Sequence, residues 1–355
     1  MKKIKLLIIF GGQSGEHTVS VLSAQSVCGA LNREKYDIRA LGVSEQGRWY
    51  LDVWPEEWLT GDNSPGPAGK EAVLRLGTGV AGFLPLSEKD AAAFYRPDVV
   101  FPVLHGPGGE DGTVQGLLTL AGLPFVGCGI LGAALGMDKD RMKAVFREAG
   151  LPVGPYITVA AARRREEALL GKIEKDLGYP CFVKPANMGS SVGVTRAANR
   201  ATLIKGLELA AVYDRKIIVE QGIIGREIEI AILDGEVPRV SVPGEIIPAK
   251  DFYDYEAKYI ATDSRLIIPA PLPAPTAAKL ADYGLRAFAA VAAKGLARVD
   301  FFVAADGRVY VNEINTMPGF TGISMYPKLW AATGVPYAAL LDRLIELALA
   351  ESERE

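Results

Sequence analysis

The sequence is poor in the residues that build metal clusters and covalent frameworks: 355 positions hold two histidines and three cysteines. Cys28, Cys128 and Cys181 are odd in number, far apart and without a neighbouring histidine cluster. That excludes a disulfide scaffold and a zinc site, and the three thiols are expected to be reduced and buried. A basic block is also missing. Lys plus Arg number 39 against 42 Asp plus Glu, a formal net charge of −3. Nucleic acid and anionic membranes need clustered Lys and Arg, so neither is an expected partner. Long apolar runs are absent too. The longest purely apolar start, Leu6 to Phe10, ends in Gly11-Gly12, too short for a signal core, and nothing approaches the roughly 18 apolar residues of a membrane span. The expectation is a soluble, cytoplasmic chain. No internal repeat and no GxxxxGK[ST] phosphate loop occurs. What is present is ordinary globular usage, 49% hydrophobic and 23% charged, which rules out bulk disorder and leaves core enough for two or three domains.

The pattern opens as a βαβ unit: an apolar strand at 4–10, a GGQSGE loop, a helix over 18–31 and a strand over 36–43. Residues 60–82 turn to Gly, Pro, Asp, Asn and Ser, which reads as a surface excursion rather than an element. A buried strand (97–104) and a helix (114–121) follow, and a first domain closes near Gly136. Residues 139–149 have helical spacing; strands are expected at 155–159 and 180–184, flanking a charged, solvated helix over 163–177. Beyond 217 the texture becomes hairpins, with Asp234-Gly235 and Asp306-Gly307 as two-residue turns. A helix over 337–349 closes the chain.

If Asp306-Gly307 is such a turn, Asp300 lies opposite Glu313 and Arg298 opposite Asn315, all four on one face, while Val299 pairs with Ile314 and Val303 with Tyr310 on the other. Like charges directly opposite each other are unfavourable unless a cation sits between them. Oxygen ligands from Asp, Glu and Asn suit Mg²⁺, which keeps waters and bridges nucleotide phosphates. The alternative is a solvated hairpin face on which Arg298 neutralises the acids.

FVKP ends a strand in Lys184, and NMGSSVG (187–193) supplies a loop of N–H and hydroxyl donors able to fold over phosphates. Lys139 in GMDKDRMK opens a helix nearby in sequence. Glu220 at the end of KIIVE, and Glu227 just beyond GIIGR, are candidate acceptors for an adenine amino group and a ribose. Each alone is equally a turn, a surface lysine or an edge acid; the combination carries weight. GGQSGEH has the wrong spacing for the GxGxxG of a dinucleotide site, and no acid ends the second strand to hold a ribose. His17 and His105 both sit in Gly/acid loops after strands, where open α/β sheets bind ligands; a solvent-exposed loop histidine is the other reading.

Taken in order, GGQSGEH, LHGPGGEDGT, GMDKDRMK, CFVKPANMGSSVGV, IVEQGIIGREIEIAIL, FYDYEAKY, LARVDFFV and VNEINTMPGFTGISMYPKLW resemble the D-alanine–D-alanine ligases of the ATP-grasp superfamily over nearly the whole chain. The resemblance implies α/β and α+β architecture in three domains: an N-terminal open α/β domain (1–138), a central lid-bearing domain (139–219) and a C-terminal catalytic domain (220–355), with ATP held between the last two. It implies that Lys139, Lys184 and Lys258 serve ATP, Glu220 the adenine amino group with the hinge around Ile223, and Glu227 the ribose. Asp300, Glu313 and Asn315 would hold two Mg²⁺ or Mn²⁺. Glu16, with Ser190 and Tyr259, would orient the first D-alanine, with His105 beside the substrates. Arg298 and the Gly319 N–H would stabilise an oxyanion, while Ser324 and Met325 anchor the second carboxylate. Residues 251–259 are a plausible lid over a water-sensitive acyl phosphate. A homodimer acting in peptidoglycan precursor synthesis is also implied.

Within the same superfamily D-serine or D-lactate is the alternative acceptor; Tyr259 favours the dipeptide, and an apolar pocket rejects one added hydroxyl only weakly. A nucleotide-binding module without catalysis and a dinucleotide-dependent oxidoreductase are the rivals from other classes.

Overall fold

Strand β1 (Ile4–Gly11) is buried on both faces from Leu6 onward, which is why Leu6 to Phe10 reads as an unbroken apolar run rather than an alternation. The computed structural model describes residues 2–60, 69–77, 81–87, 94–247 and 265–352. Its first sheet is built from β1, β2 (Tyr36–Val43), β3 (Trp49–Leu51), β4 (Lys70–Arg75), β5 (Gly82–Pro85) and β6 (Val99–Pro102), in the order β5-β4-β3-β2-β1-β6. β1 runs parallel to β2 and β6, the pairing that a helical crossover permits. Helices α1 (His17–Ala30), α2 (Pro55–Thr60), α3 (Thr113–Leu120) and α4 (Ile130–Met137) accompany it. The excursion expected at 60–82 needs correcting. Its Gly/Pro clusters flank a short run, KEAVLR, which pairs with β3 and β5 as β4.

The second sheet is antiparallel, β7 (Tyr156–Ala160), β8 (Cys181–Pro185), β9 (Thr195–Ala197) and β10 (Lys216–Gln221) in the order β7-β10-β8-β9, with α5 (Lys139–Glu148), α6 (Glu167–Asp176) and α7 (Arg200–Tyr213). Helix α5 is started by Asp138, whose side chain accepts from the backbone N–H groups of Asp140 and Arg141. Helix α6 begins four residues later than the charge pattern suggests. Arg163 spends its guanidinium on Glu166 across a turn, at 2.7 and 2.8 Å, and Arg164 donates to the Ala161 carbonyl, so this stretch is a turn rather than a helical face.

The third sheet holds β11 (Gly225–Leu233), β12 (Arg239–Val240), β13 (Gly244–Ile247), β14 (Arg265–Ile267), β15 (Leu296–Ala304) and β16 (Val309–Asn315), in the order β14-β13-β11-β15-β16 with β12 on β11. Helices α8 (Ala274–Ala290), α9 (Met325–Ala332) and α10 (Tyr337–Ser352) complete the chain. Both expected two-residue turns are longer. β11 pairs Leu233 with Arg239, so the first loop runs over 234–238. In the second, the Gly307 N–H donates to the Ala304 carbonyl and Ala304 pairs with Arg308, giving a three-residue loop with Gly307 at φ +82°.

That longer loop shifts the register, so Val303 faces Val309 rather than Tyr310. A β-bulge then restores it: Phe301 pairs with Val311, Asp300 with Glu313, and Asn312 is the extra residue. The expected pairs Asp300–Glu313, Val299–Ile314 and Arg298–Asn315 are therefore present, reached through two compensating irregularities.

One core cluster joins Leu6, Ile8 and Phe10 of β1 to Leu340, Leu341 and Leu344 of α10. The end of the chain thus packs on its beginning, each fully buried side chain contributing about 1.5–3 kcal/mol. Tyr36 Oη donates to Asp342 at 2.6 Å at the margin. All three cysteines are free and buried, and burial pushes the Cys181 thiol up to about 11. Among the described residues no helix is long and apolar enough to cross a membrane.

Candidate active site

A cleft of about 1200 Å³ opens where the three sheets meet. Every residue to which the family resemblance assigns a role, among the described ones, lines it. Glu16 and His105 come from loops of the first sheet; Lys139, Ser190, Lys184 and Glu220 come from around the second, and Ile223 from the link to the third. Glu227, Arg298, Asp300, Glu313, Asn315, Gly319, Ser324 and Met325 come from the third. Lys258, Tyr259 and the lid expected at 251–259 lie outside the described residues. His17 is elsewhere: it is buried at the start of α1, its Nδ1 donating to the Gly12 carbonyl at 2.6 Å and its Nε2 accepting from Trp58 at 2.9 Å. It is a packing residue, not an exposed loop group.

On the third sheet Glu229, Asp300 and Glu313 stand directly across three neighbouring strands. Such a row needs positive charge. Arg298 supplies part of it, gripping Asp300 with two hydrogen bonds of 2.7 Å and lying 3.1 Å from Glu229. Asn315 donates to Asp300 at 3.2 Å. The neutralising role of Arg298 is thus real, but the set is partly buried in the cleft rather than solvated. Among the described residues no three acidic, histidine or cysteine side chains converge as a metal-binding group. The oxygens of Asp300, Glu313 and Asn315 nevertheless fit a hard cation that takes its remaining ligands from water and phosphate.

On the second sheet Lys184 lies 2.5 Å from one oxygen of Glu220, and Lys143 lies 2.9 Å from the other. Burial opposes the charge on Glu220, but the two ammonium groups prevail and hold its carboxyl far below the ordinary carboxylate range. Burial likewise opposes the charge on Lys184, and the attraction of Glu220 and Glu313 overcomes it, so its pKa is raised. Lys139 donates to the Met188 carbonyl at 2.6 Å, tying α5 to the Gly/Ser loop. In that loop Ser190 and Ser191 sit at φ +48° and +60°, a sparsely populated conformation for non-glycine residues that makes the loop a strained cradle of backbone groups.

At the first sheet Ser190 donates to Glu16 in a short hydrogen bond. A Cβ on Gly106 would lie 2.5 Å from the Glu16 carboxylate, so the loop after β6 can close on Glu16 only without a side chain there. Nearby, burial and the charge of Glu16 push the Glu110 carboxyl up to about 8, although the Gly106 N–H donates to it at 2.8 Å. His105 is buried and its pKa falls to about 4, chiefly from desolvation. Its Nδ1 lies 3.2 Å from the Met317 carbonyl and its Nε2 3.2 Å from Ser23 Oγ, which also accepts from the Phe320 N–H. This set holds the turn that carries Gly319. Ser324 precedes α9 and lines the cleft with Met325, so the start of that helix borders the cleft, a position suited to a carboxylate.

Three residues escaped the sequence reading. Glu229 sits two residues after Glu227 and so on the same strand face, Lys143 lies one helical turn after Lys139, and Glu110 stands in the GGEDG loop beside His105. Each had a spacing signal, but only the fold brings Glu110 and Glu229 to the cleft and sets Lys143 behind its wall, against Glu220.

The family model described as "D-ala D-ala ligase N-terminus" matches residues 5–128, and that described as "D-ala D-ala ligase C-terminus" matches 145–346. A D-alanine–D-alanine ligase of Heliobacterium modesticaldum is 49% identical over 99% of this chain and 96% of its own length. One from a Thermoanaerobacter species is 48% identical over 100% and 99%. Among solved structures, the D-alanine–D-alanine ligase of Coxiella burnetii superposes with a TM-score of 0.86 at 35% identity, covering 100% of this chain and 96% of that one. The VanG D-Ala:D-Ser ligase of Enterococcus faecalis does so at 0.86 and 36%, covering 98% and 100%.

Proposed function

This chain belongs to the D-alanine–D-alanine ligase family: it joins two D-alanine molecules into D-alanyl-D-alanine with ATP, and we propose that it does so in the cleft between its three sheets, through a D-alanyl phosphate, with release of ADP and phosphate. The observation that carries the reading of the site is the convergence of Lys139, Lys184, Ser190, Asp300, Glu313, Arg298 and Glu16 on one cleft from segments far apart in the chain.

A carboxylate is a poor electrophile, and its attack on the γ-phosphorus of ATP brings anions together. Lys139 and Lys184 neutralise that repulsion, and the Gly/Ser loop covers the phosphates. Asp300, Glu313 and Asn315 would hold Mg²⁺ or Mn²⁺, which would supply positive charge to screen the phosphate oxygens. Glu220 takes the adenine amino group, with Ile223 of the link against the base, and Glu227 the ribose. Glu16, oriented by Ser190, takes the first D-alanine's ammonium. The second D-alanine lies with its carboxylate at Ser324 and Met325; its amine, once deprotonated, attacks the acyl carbonyl, Arg298 with the Gly319 N–H meets the oxygen on which charge develops, and the C–O bond to phosphate breaks as phosphate leaves. His105, uncharged and locked to the Met317 carbonyl, keeps that turn in place. Three domains, 1–138, 139–219 and 220–355, lysine and tyrosine contributions from Lys258 and Tyr259, and a cytoplasmic homodimer complete the proposal; sedimentation tests the dimer.

The test is ADP release by the purified protein with Mg²⁺ and ATP, with no amino acid, D-alanine, L-alanine, D-serine, or D-alanine plus D-lactate, and products identified by mass. Release driven by D-alanine alone, with the dipeptide formed, is expected. A mixed D-alanyl-D-serine product as the main species would move the acceptor assignment to that of the VanG enzyme.

A further inference from the structure

Lys143 is 3% exposed, on α5, and lines no part of the cleft. Its ammonium lies 2.9 Å from Glu220 on β10 and donates to the carbonyl of Asn312 on β16 at 2.8 Å. Asn312 is the bulged residue, the one whose insertion sets Glu313 opposite Asp300. A bulge removes a residue from the ladder and leaves its carbonyl in need of another partner. One turn earlier on the same helix face, Lys139 binds the Met188 carbonyl of the Gly/Ser loop. Helix α5 therefore fastens three walls of the cleft, and Lys143 accounts for two of them.

A buried ammonium is costly unless its donors are matched by well-placed acceptors. Here the acceptors belong to different sheets: Glu220 on the nucleotide side, Asn312 next to the metal-side carboxylate. We infer that Lys143 is a positioning residue for ATP: it fixes the Glu220 carboxylate against the bulge of β16, so that the adenine acceptor and Glu313 are set at one distance from each other. Lys184 is also on Glu220, but it faces the cleft and exchanges toward phosphate when ATP enters; Lys143 is out of reach of ATP and holds Glu220 throughout. This inference rests on the assignment of Glu220 to the nucleotide given above.

The test compares wild type, Lys143→Met, Glu220→Gln and the double variant. ATP binding is read by calorimetry without D-alanine, and KM for ATP and for D-alanine in the ADP-release assay. Lys143→Met should weaken ATP about tenfold and leave KM for D-alanine unchanged, and in the Glu220→Gln background it should add little, because coupled residues do not act additively. Where Lys143→Met lowers the melting temperature too far for assay, Lys143→Gln, whose amide still donates to Asn312, should restore folding but not ATP affinity. Unchanged ATP affinity in folded Lys143→Met overturns the inference, as does an equal loss in both backgrounds or an equal rise in both Michaelis constants. ATP binding without D-alanine-driven ADP release would sink the ligase reading instead, and the calorimetric cycle would still decide for or against Lys143.

Discussion

Arg298 and Asp300 lie two residues apart on one face of β15 and are joined by two parallel hydrogen bonds of 2.7 Å. The same guanidinium lies 3.1 Å from Glu229, so one arginine serves two members of the acidic row. The geometry is bidentate, which a lysine does not reproduce. Arg298→Ala should lower kcat by roughly 10²–10³, the loss typical of one oxyanion donor. It should also make the melting temperature more responsive to added Mg²⁺, because the row then lacks its resident cation. Turnover and thermal shift with and without Mg²⁺ check both; a variant with near-normal kcat would remove Arg298 from the reaction.

Glu313 stands across from Asp300 because of the bulge at Asn312. Glu313→Gln keeps the shape and removes the charge, so activity should be lost and should not return at saturating Mg²⁺. Steady-state rates over a Mg²⁺ and Mn²⁺ series provide the measurement. Normal turnover in that variant would refute the metal assignment.

Lys184 lies 2.5 Å from Glu220 and is drawn also toward Glu313, with a raised pKa. Lys184→Met should raise KM for ATP or lower kcat, since a phosphate then meets Glu220 without its intervening cation. Glu220 keeps Lys143, so folding should survive. Kinetics indistinguishable from wild type would take Lys184 out of the phosphate site.

Burial and Glu16 raise the Glu110 carboxyl from 4.5 to about 8. A raised carboxyl pKa means the folded state holds the proton more tightly than the unfolded chain does. Its stabilising contribution is full below about 4.5 and is lost as pH rises through about 8. Glu110→Gln mimics the protonated form, so the decline in melting temperature across that window should flatten, and the variant should exceed wild type at the alkaline end. Parallel pH profiles for the two proteins would contradict this.

The sequence settled most of the local structure and much of the cleft. The apolar run at 4–10 is β1 because a parallel strand buried on both faces has no alternation to show. Asp300, Glu313, Arg298 and Asn315 could be put on one face because strand periodicity survives any even slip. The loop at Asp306-Gly307 is one residue longer than that dipeptide implies, and only the bulge at Asn312 returns the register. Neither a loop length nor a bulge has a sharp signature, since both depend on how the strand is bent against its neighbours. KEAVLR was missed because a short run between Gly/Pro clusters gains its strand character from β3 and β5, not from itself.

The tertiary structure alone decided which charges meet. Lys143 and Glu220 are 2.9 Å apart although β7, α6, β8, β9 and α7 lie between them along the chain, and Ser190 reaches Glu16 from a different sheet. The end of the chain closes on its start through Leu344 and Ile8 in one core. Residue type and spacing determine secondary structure because those interactions are local. Ion pairs, bulges and buried protonation states depend on the field and packing of segments distant in sequence, so they appear only when the sheets are brought together.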